Sequence, residues 1–141
     1  VARELGADYT VNPTREDPQQ RVMEITGGGA DFSIESIGNV NVISQAFGSI
    51  HCGGTCLLLG APPMLDLLTV APFEFLLGKV LMGSLLGNVR TMIDVPKYLD
   101  LYMAGKLPID KLISRYYRLD EINEAFAAME KGDVLRGVIR F

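Results

Sequence analysis

The chain predicts an α/β fold built on a parallel sheet, and two patterns carry that prediction. The first is the stretch Gly53-Gly54-Thr55-Cys56-Leu57-Leu58-Leu59-Gly60-Ala61-Pro62-Pro63. Two glycines lead into a continuous apolar run, which ends in a glycine and a proline pair. That punctuation marks a strand buried on both faces, the kind that parallel sheets contain. The second is an alternation of strand-like and helix-like segments separated by short glycine-marked joints, the signature of βαβ units with right-handed crossovers. In such sheets ligands sit just beyond the carboxyl ends of the strands. A ligand is therefore expected at Leu59-Gly60-Ala61.

Each element follows from local chemistry. Ala2, Glu4 and Leu5 suit the end of a helix, with Gly6 at its C′ position. Asp8–Asn12 reads as a short strand with Tyr9 and Val11 apolar, closed by Asn12-Pro13. Asp17 then caps a helix in which Pro18 takes the first position and Gln20 completes a capping box. Val22, Met23 and Ile25 form its apolar side, and Gly27-Gly28-Gly29 ends it. Asp31–Ile37 is the next strand, with Phe32, Ile34 and Ile37 apolar. Asn39 caps a helix whose stripe is Val42, Ile43, Ala46, Phe47 and Ile50, the spacing of a helix lying on a sheet. The strand at Gly53–Pro63 follows, and it is expected at the inner edge of a half-sheet.

Past Pro63 the pattern changes. Pro72 introduces one or two helical turns at Phe73–Leu77, and Lys79–Leu86 reads as a strand interrupted by Gly83 and closed by Gly87. Asp94-Val95-Pro96 starts a helix with Leu99, Tyr102 and Met103 turned inward, ending at Gly105. Ile113–Tyr117 is a weak strand. Asp120 caps a helix with Ile122, Ala125, Phe126 and Met129 on one side, and Lys131-Gly132 ends it in keeping with the helix dipole. Gly137–Phe141 is a terminal strand.

Composition bounds the function. Hydrophobic residues make up 48% and charged residues 21% of the chain, a packed globular balance. The net charge of −4, with no basic cluster, argues against nucleic acid and against an anionic membrane surface. The apolar runs are too short to span a bilayer. Two cysteines make no disulfide framework, so a reducing, cytoplasmic setting is expected. His51, Cys52 and Cys56 offer at most three ligands, and Cys56 should point into the core. They read as non-metal residues. Glu35 and Asp31 show no partner for acid–base work, and a lone histidine leaves no catalytic Ser-His-Asp set. The opening Val1, following no Met and falling inside a helix end, reads as the start of a fragment.

Several segments together carry a family resemblance. Gly29-Ala30-Asp31-Phe32-Ser33-Ile34-Glu35-Ser36-Ile37-Gly38 is similar to a strand of zinc-dependent, medium-chain alcohol dehydrogenases, and Gly53–Pro63 resembles the strand that follows it in that family. Pro72–Lys79, Asp110–Ile113, Leu119–Phe126 and Leu135–Ile139 resemble the family's closing segments, in order and with matching spacing. The resemblance implies the second half of a Rossmann-type doubly wound parallel sheet, plus the C-terminal segment returning to the catalytic domain. The boundary falls at residues 1–87 and 88–141. Gly27-Gly28-Gly29 follows a helix, so it is not the family's dinucleotide fingerprint. The zinc ligands and proton-relay residues have no counterparts either, so neither catalytic nor metal residues are assigned.

The resemblance also implies a site. The carbonyls of Leu59 and Ser84 and the N–H of Leu86 would hold the nicotinamide carboxamide of NAD or NADP, with Gly60 and Gly83 letting the backbone come close. Ala61 would lie at the same edge. Ser36 and Ile37 would flank the adenosine or nicotinamide ribose. Asn39 occupies a place where relatives contact cofactor, although its capping role accounts for it. Arg136 would reach the pyrophosphate. Ala61, Pro63 and Leu85 would line the substrate pocket, and Phe73 and Leu76 would enter a partner subunit's pocket. The implied activity is oxidation of an alcohol to an aldehyde or ketone, or the reverse, by hydride transfer to or from NAD(P), in a homodimer or homotetramer, with zinc held outside this chain. The chain alone is expected to be inactive. Two other readings stay open: a non-catalytic dimerising or assembly module, and a zinc-free reductase of the same superfamily.

Overall fold

The computed structural model describes all 141 residues. They form two compact units, Val1–Asn88 and Val89–Phe141, each with its own parallel sheet.

The first unit opens on a single 3₁₀ turn at Arg3–Leu5, closed by Gly6 in the left-handed region. Residues Asp8–Asn12, expected as a strand, are irregular. An extended segment becomes a strand only when a neighbour supplies a ladder, and the three strands of this unit pair only with one another. Helix α1 spans Pro18–Thr26. Asp17 Oδ1 accepts the Gln20 N–H at 2.7 Å, but the Gln20 side chain reaches forward to Glu24, so only half of the capping box forms.

Strand β1 covers Ala30–Glu35, α2 Val40–Gly48, β2 Ile50–Leu58, α3 Pro72–Leu76 and β3 Val80–Gly83. Asn39 caps α2 by accepting from Asn41 and Val42. The sheet order is β1-β2-β3, all parallel, so β2 is central rather than an inner edge. It begins at Ile50, earlier than Gly53. The glycine pair sits at an irregularity inside the strand, where pairing jumps from Ala30↔Ile50 to Phe32↔Thr55. Gly53, at φ +87°, makes the turn that this extra length demands.

One face of this sheet is packed. Phe47, Ile50 and Cys56 form its buried centre, with Ala46, Leu58, Val70 and Leu81 around them. Ser33 Oγ donates to the Ala46 carbonyl at 2.8 Å, fixing α2 over β1. Phe75 of α3 meets Phe47 with ring centroids 5.7 Å apart, and Lys79 pairs with Glu74 at 2.7 Å beside them. The opposite face is open: Phe32, Ile34, Val80 and Met82 are exposed. Within residues 1–141 the sheet is covered on one face, the Ser33, Cys56 and Leu81 side on which α2 and α3 pack, where the sequence predicted burial on both.

In the second unit, α4 spans Thr91–Met103, β4 Ile113–Arg118, α5 Ile122–Lys131 and β5 Arg136–Arg140. Strands β4 and β5 are parallel and flank α5 in sequence, a βαβ arrangement. Helix α4 starts three residues before Asp94. The Asp94 carboxylate turns back to accept the Arg90 N–H at 2.8 Å, which allows the earlier start and leaves Pro96 inside the helix. Leu99 and Met103 of α4, expected inward, are exposed. Asp120 does not cap α5; it is engaged by Arg118 Nε at 3.0 Å, and a 3₁₀ turn at Leu119–Glu121 intervenes. Tyr117 is the buried centre here, its ring 4.6 Å from the Arg115 guanidinium, which in turn meets Glu124 at 2.8 Å.

Asp31 has a partner that the sequence did not reveal. His51 Nε2 lies 2.9 Å from its Oδ1, across the β1–β2 pair. This hydrogen bond, with the Cys52 carbonyl, raises the His51 pKa above its ordinary 6.5 and lowers that of Asp31. A raised folded-state pKa contributes stability that is fully present below 6.5 and is lost as the pH rises through the folded value. Both groups are exposed, so the contribution is small. NMR titration of the chain's one histidine is expected to give a pKa above 6.5, falling back toward it in Asp31→Asn.

Candidate functional site

The carboxyl ends of β1, β2 and β3 lie side by side, and the turns that leave them make the candidate site. Pairing runs Glu35↔Leu58 and Leu58↔Gly83, so the three strands finish level. Beyond the ladder the pairing continues. Leu59 N–H and Gly60 N–H both donate to the Glu35 carbonyl, at 2.8 and 3.1 Å, and Ser84 N–H donates to the Leu58 carbonyl at 2.9 Å. This brings Ser36, Ile37, Leu59, Gly60, Ala61, Ser84 and Leu86 to one end of the sheet.

Two glycines set how closely the first two turns approach. A Cβ on Gly60 would stand 2.1 Å from the Gly38 nitrogen, and one on Gly38, at φ +80°, would stand 2.6 Å from the Ala61 carbonyl carbon. Neither position has room for a side chain. Gly60 therefore serves close approach of backbone to backbone. Gly83 differs: nothing lies within 4 Å of a Cβ there, so no contact in this chain requires glycine.

At β3 the chain leaves through Ser84, which is buried, into a 3₁₀ turn at Leu85–Asn88. Leu86 has φ +50° and ψ +31°, a left-handed conformation that costs a branched side chain about 1–2 kcal/mol. Strain of this kind concentrates where a backbone group is aimed at a ligand. The Leu86 N–H and the Leu59 carbonyl have no partner within the chain, and the Ser84 carbonyl accepts only a long 3.4 Å bond from Gly87. Two acceptors and one donor on adjacent strand ends are thus available, a set that matches a primary carboxamide.

The other candidates fall elsewhere. Ala61, Pro63 and Leu85 are exposed around the same edge, and Ile37 projects from the β1 turn. Phe73 and Leu76 are exposed on α3. Arg136 belongs to the second unit, where it opens β5 beside an apolar groove of about 210 Å³ with Ile122, Phe126 and Met129. Asn39 is engaged in capping α2. Cys56 is buried, which pushes its thiol pKa up, while Cys52 is exposed; no group of three or more His, Cys, Asp or Glu side chains lies together as a metal site. A zinc ion does not fit the residues present.

Glu35, which the sequence left without a partner, has a structural one in its own turn. It is 2% exposed, and its Oε1 accepts the N–H groups of Ile37 at 2.7 Å and Gly38 at 2.8 Å. The available signal was a glutamate closing an apolar strand two and three residues before turn amides that need an acceptor.

Level parallel strand ends define an α/β half-domain of the doubly wound type. The family described as zinc-binding dehydrogenase matches residues 1–103, and the chain belongs to that family. Alcohol dehydrogenase 2 of Zea mays is 39% identical over 142 residues, which cover 99% of this chain and 38% of that protein. Alcohol dehydrogenase class-3 of Dictyostelium discoideum is 36% identical, covering 97% and 38% respectively. The crystal structure of benzyl alcohol dehydrogenase from Acinetobacter calcoaceticus superposes with a TM-score of 0.93 at 32% identity, over 99% of this chain and 39% of that one. The chain thus spans about 38% of the length of the curated relatives it matches and corresponds to the C-terminal part of a medium-chain alcohol dehydrogenase.

Gly60→Ala is expected to destabilise the protein by roughly 2 kcal/mol or more, since the methyl group meets backbone that cannot yield. Gly83→Ala is expected to change stability by less than about 0.5 kcal/mol. Urea denaturation of the two variants side by side measures the difference.

Proposed function

We infer that the whole protein carrying this segment is an alcohol dehydrogenase, and that the strand ends of the first unit hold the nicotinamide end of NAD or NADP. The observation that carries this reading is the unpartnered Leu59 carbonyl and Leu86 N–H beside the weakly engaged Ser84 carbonyl, in a chain that belongs to the zinc-binding dehydrogenase family. The carboxamide NH₂ donates to the Leu59 and Ser84 carbonyls, and the Leu86 N–H donates to the carboxamide oxygen. Fixing three bonds on one planar group sets the plane of the ring and therefore the face it offers to substrate. Gly60 keeps the floor beneath it low. Ser36 and Ile37 flank a ribose.

When bound, the nicotinamide accepts or returns a hydride, which interconverts a small alcohol with its aldehyde or ketone. Ala61, Pro63 and Leu85 give that side of the ring an apolar wall, and the small Ala61 leaves room near the reacting carbon. Phe73 and Leu76 extend from α3 toward a partner subunit in a homodimer or homotetramer. Zinc belongs to the full protein and takes its ligands from outside residues 1–141, so no step of this chain runs through it. On this reading residues 1–87 are part of the dinucleotide-binding domain and 88–141 return to the catalytic domain, in a cytoplasmic enzyme. No helix is long and apolar enough to cross a membrane.

The test compares cofactors in the whole protein. An acetylpyridine analogue of NAD keeps the ring carbonyl but replaces the NH₂ with a methyl group, leaving both backbone carbonyls unpaired. Its KM is expected to be raised about 10-fold over that of NAD, by the cost of lost hydrogen bonds. Equal KM values would contradict the assignment of Leu59 and Ser84, and alcohol oxidation by the 141-residue chain alone would contradict the division of labour.

A further inference from the structure

We propose that Glu35 is a positioning residue for the nicotinamide end of the site, acting through the turns that follow β1 and β2. The proposal rests on the dinucleotide reading above and deepens it.

Glu35 joins the two turns with two separate groups. Its main-chain carbonyl accepts from Leu59 and Gly60, and its carboxylate Oε1 accepts from Ile37 and Gly38. One residue therefore satisfies four N–H groups, two on each turn. A buried main-chain N–H without an acceptor is costly, so these bonds hold both turns in a single geometry.

The second oxygen is the unusual feature. Oε2 is buried and has no hydrogen-bond partner, and it sits 2.7 Å from where a Cβ on Gly60 would lie. A structural turn needs only one acceptor oxygen, which an asparagine or serine supplies without burying a charge. The carboxylate instead underlies Gly60 directly, so its position sets the height of Gly60 and, one bond away, the direction of the Leu59 carbonyl. Gly38 locks against Gly60 and Ala61 from the same side. Nothing in this arrangement touches the reacting atoms. Its effect is to aim the Leu59 acceptor.

Calorimetric titration of the whole protein with NAD and with ADP-ribose, which lacks the nicotinamide, separates this role from a merely structural one. Glu35→Gln keeps an acceptor for the two turn amides but places an unpartnered NH₂ under Gly60, while Glu35→Ala removes the tie. The Kd for NAD is expected to rise about 3-fold in E35Q and about 10-fold in E35A, with that for ADP-ribose, which keeps the ribose beside Ile37, raised to a clearly smaller extent. If E35A does not fold, the near-isosteric E35Q carries the comparison alone, with circular dichroism confirming its fold. Equal losses for both ligands, or unchanged NAD binding in folded E35Q, would overturn the proposal. A parent protein that binds neither ligand would instead overturn the dinucleotide reading, and this assignment with it.

Discussion

The Glu35 carbonyl, shared between the N–H groups of Leu59 and Gly60, is the interaction on which the candidate site depends. It extends the β1–β2 ladder past the point where regular pairing ends, and so forces the two exiting turns to run close together. That closeness is possible only because Gly38 and Gly60 have no side chains. Change the distance between these turns and the level finish of the three strands is lost. The free carbonyl of Leu59 then no longer stands beside Ser84 and Leu86. A small number of backbone bonds, supported by van der Waals contact between two glycines, thus decides where the available polar groups lie.

Packing beneath the site is economical. Only Ile43, Phe47, Ile50 and Cys56 are buried hydrophobics in the first unit, all on the side covered by α2 and α3. The opposite face leaves Phe32, Ile34, Val80 and Met82 in solvent. A sheet with so few buried apolar groups draws much of its order from its ladders and from ties such as Ser33 to Ala46. An overpacked Gly60 is expensive because backbone stands 2.1 Å from a Cβ there, whereas at Gly83 nothing lies within 4 Å.

Much of this was legible from residue order. The glycine-marked alternation of apolar segments marked the parallel sheet, Asp17 and Asn39 announced their helices, and the family resemblance pointed to the strand ends at Leu59, Ser84 and Leu86. What was not legible depended on distant partners. Asp8–Asn12 has a strand's composition but no neighbour to pair with, and composition does not count neighbours. The apolar pattern of Phe32 and Ile34 promised burial, yet only packing decides which face is covered. Asp31 lacked a partner in sequence because His51 lies 20 residues away and meets it only across the sheet. Pro96 marked a helix start by the usual rule, and the reach of Asp94 to Arg90 moved that start forward.

A site made of main-chain groups follows rules different from those of a site made of side chains. Replacing Leu59 or Ser84 with another residue of compatible shape leaves the carbonyl in place, so side-chain identity there says little about binding. Replacing Gly38 or Gly60 changes no functional group and yet moves every one of them. Leu86 stands between these cases: its N–H is the available donor, and its side chain makes the left-handed conformation costly. Glycine would relieve that cost and also loosen the turn, since it reaches many conformations that leucine cannot. A branched residue held at φ +50° keeps the donor aimed only while the surrounding turn holds it there. What these strand ends can offer a ligand therefore resides in backbone geometry, and the residues that decide it are the ones that permit or enforce that geometry.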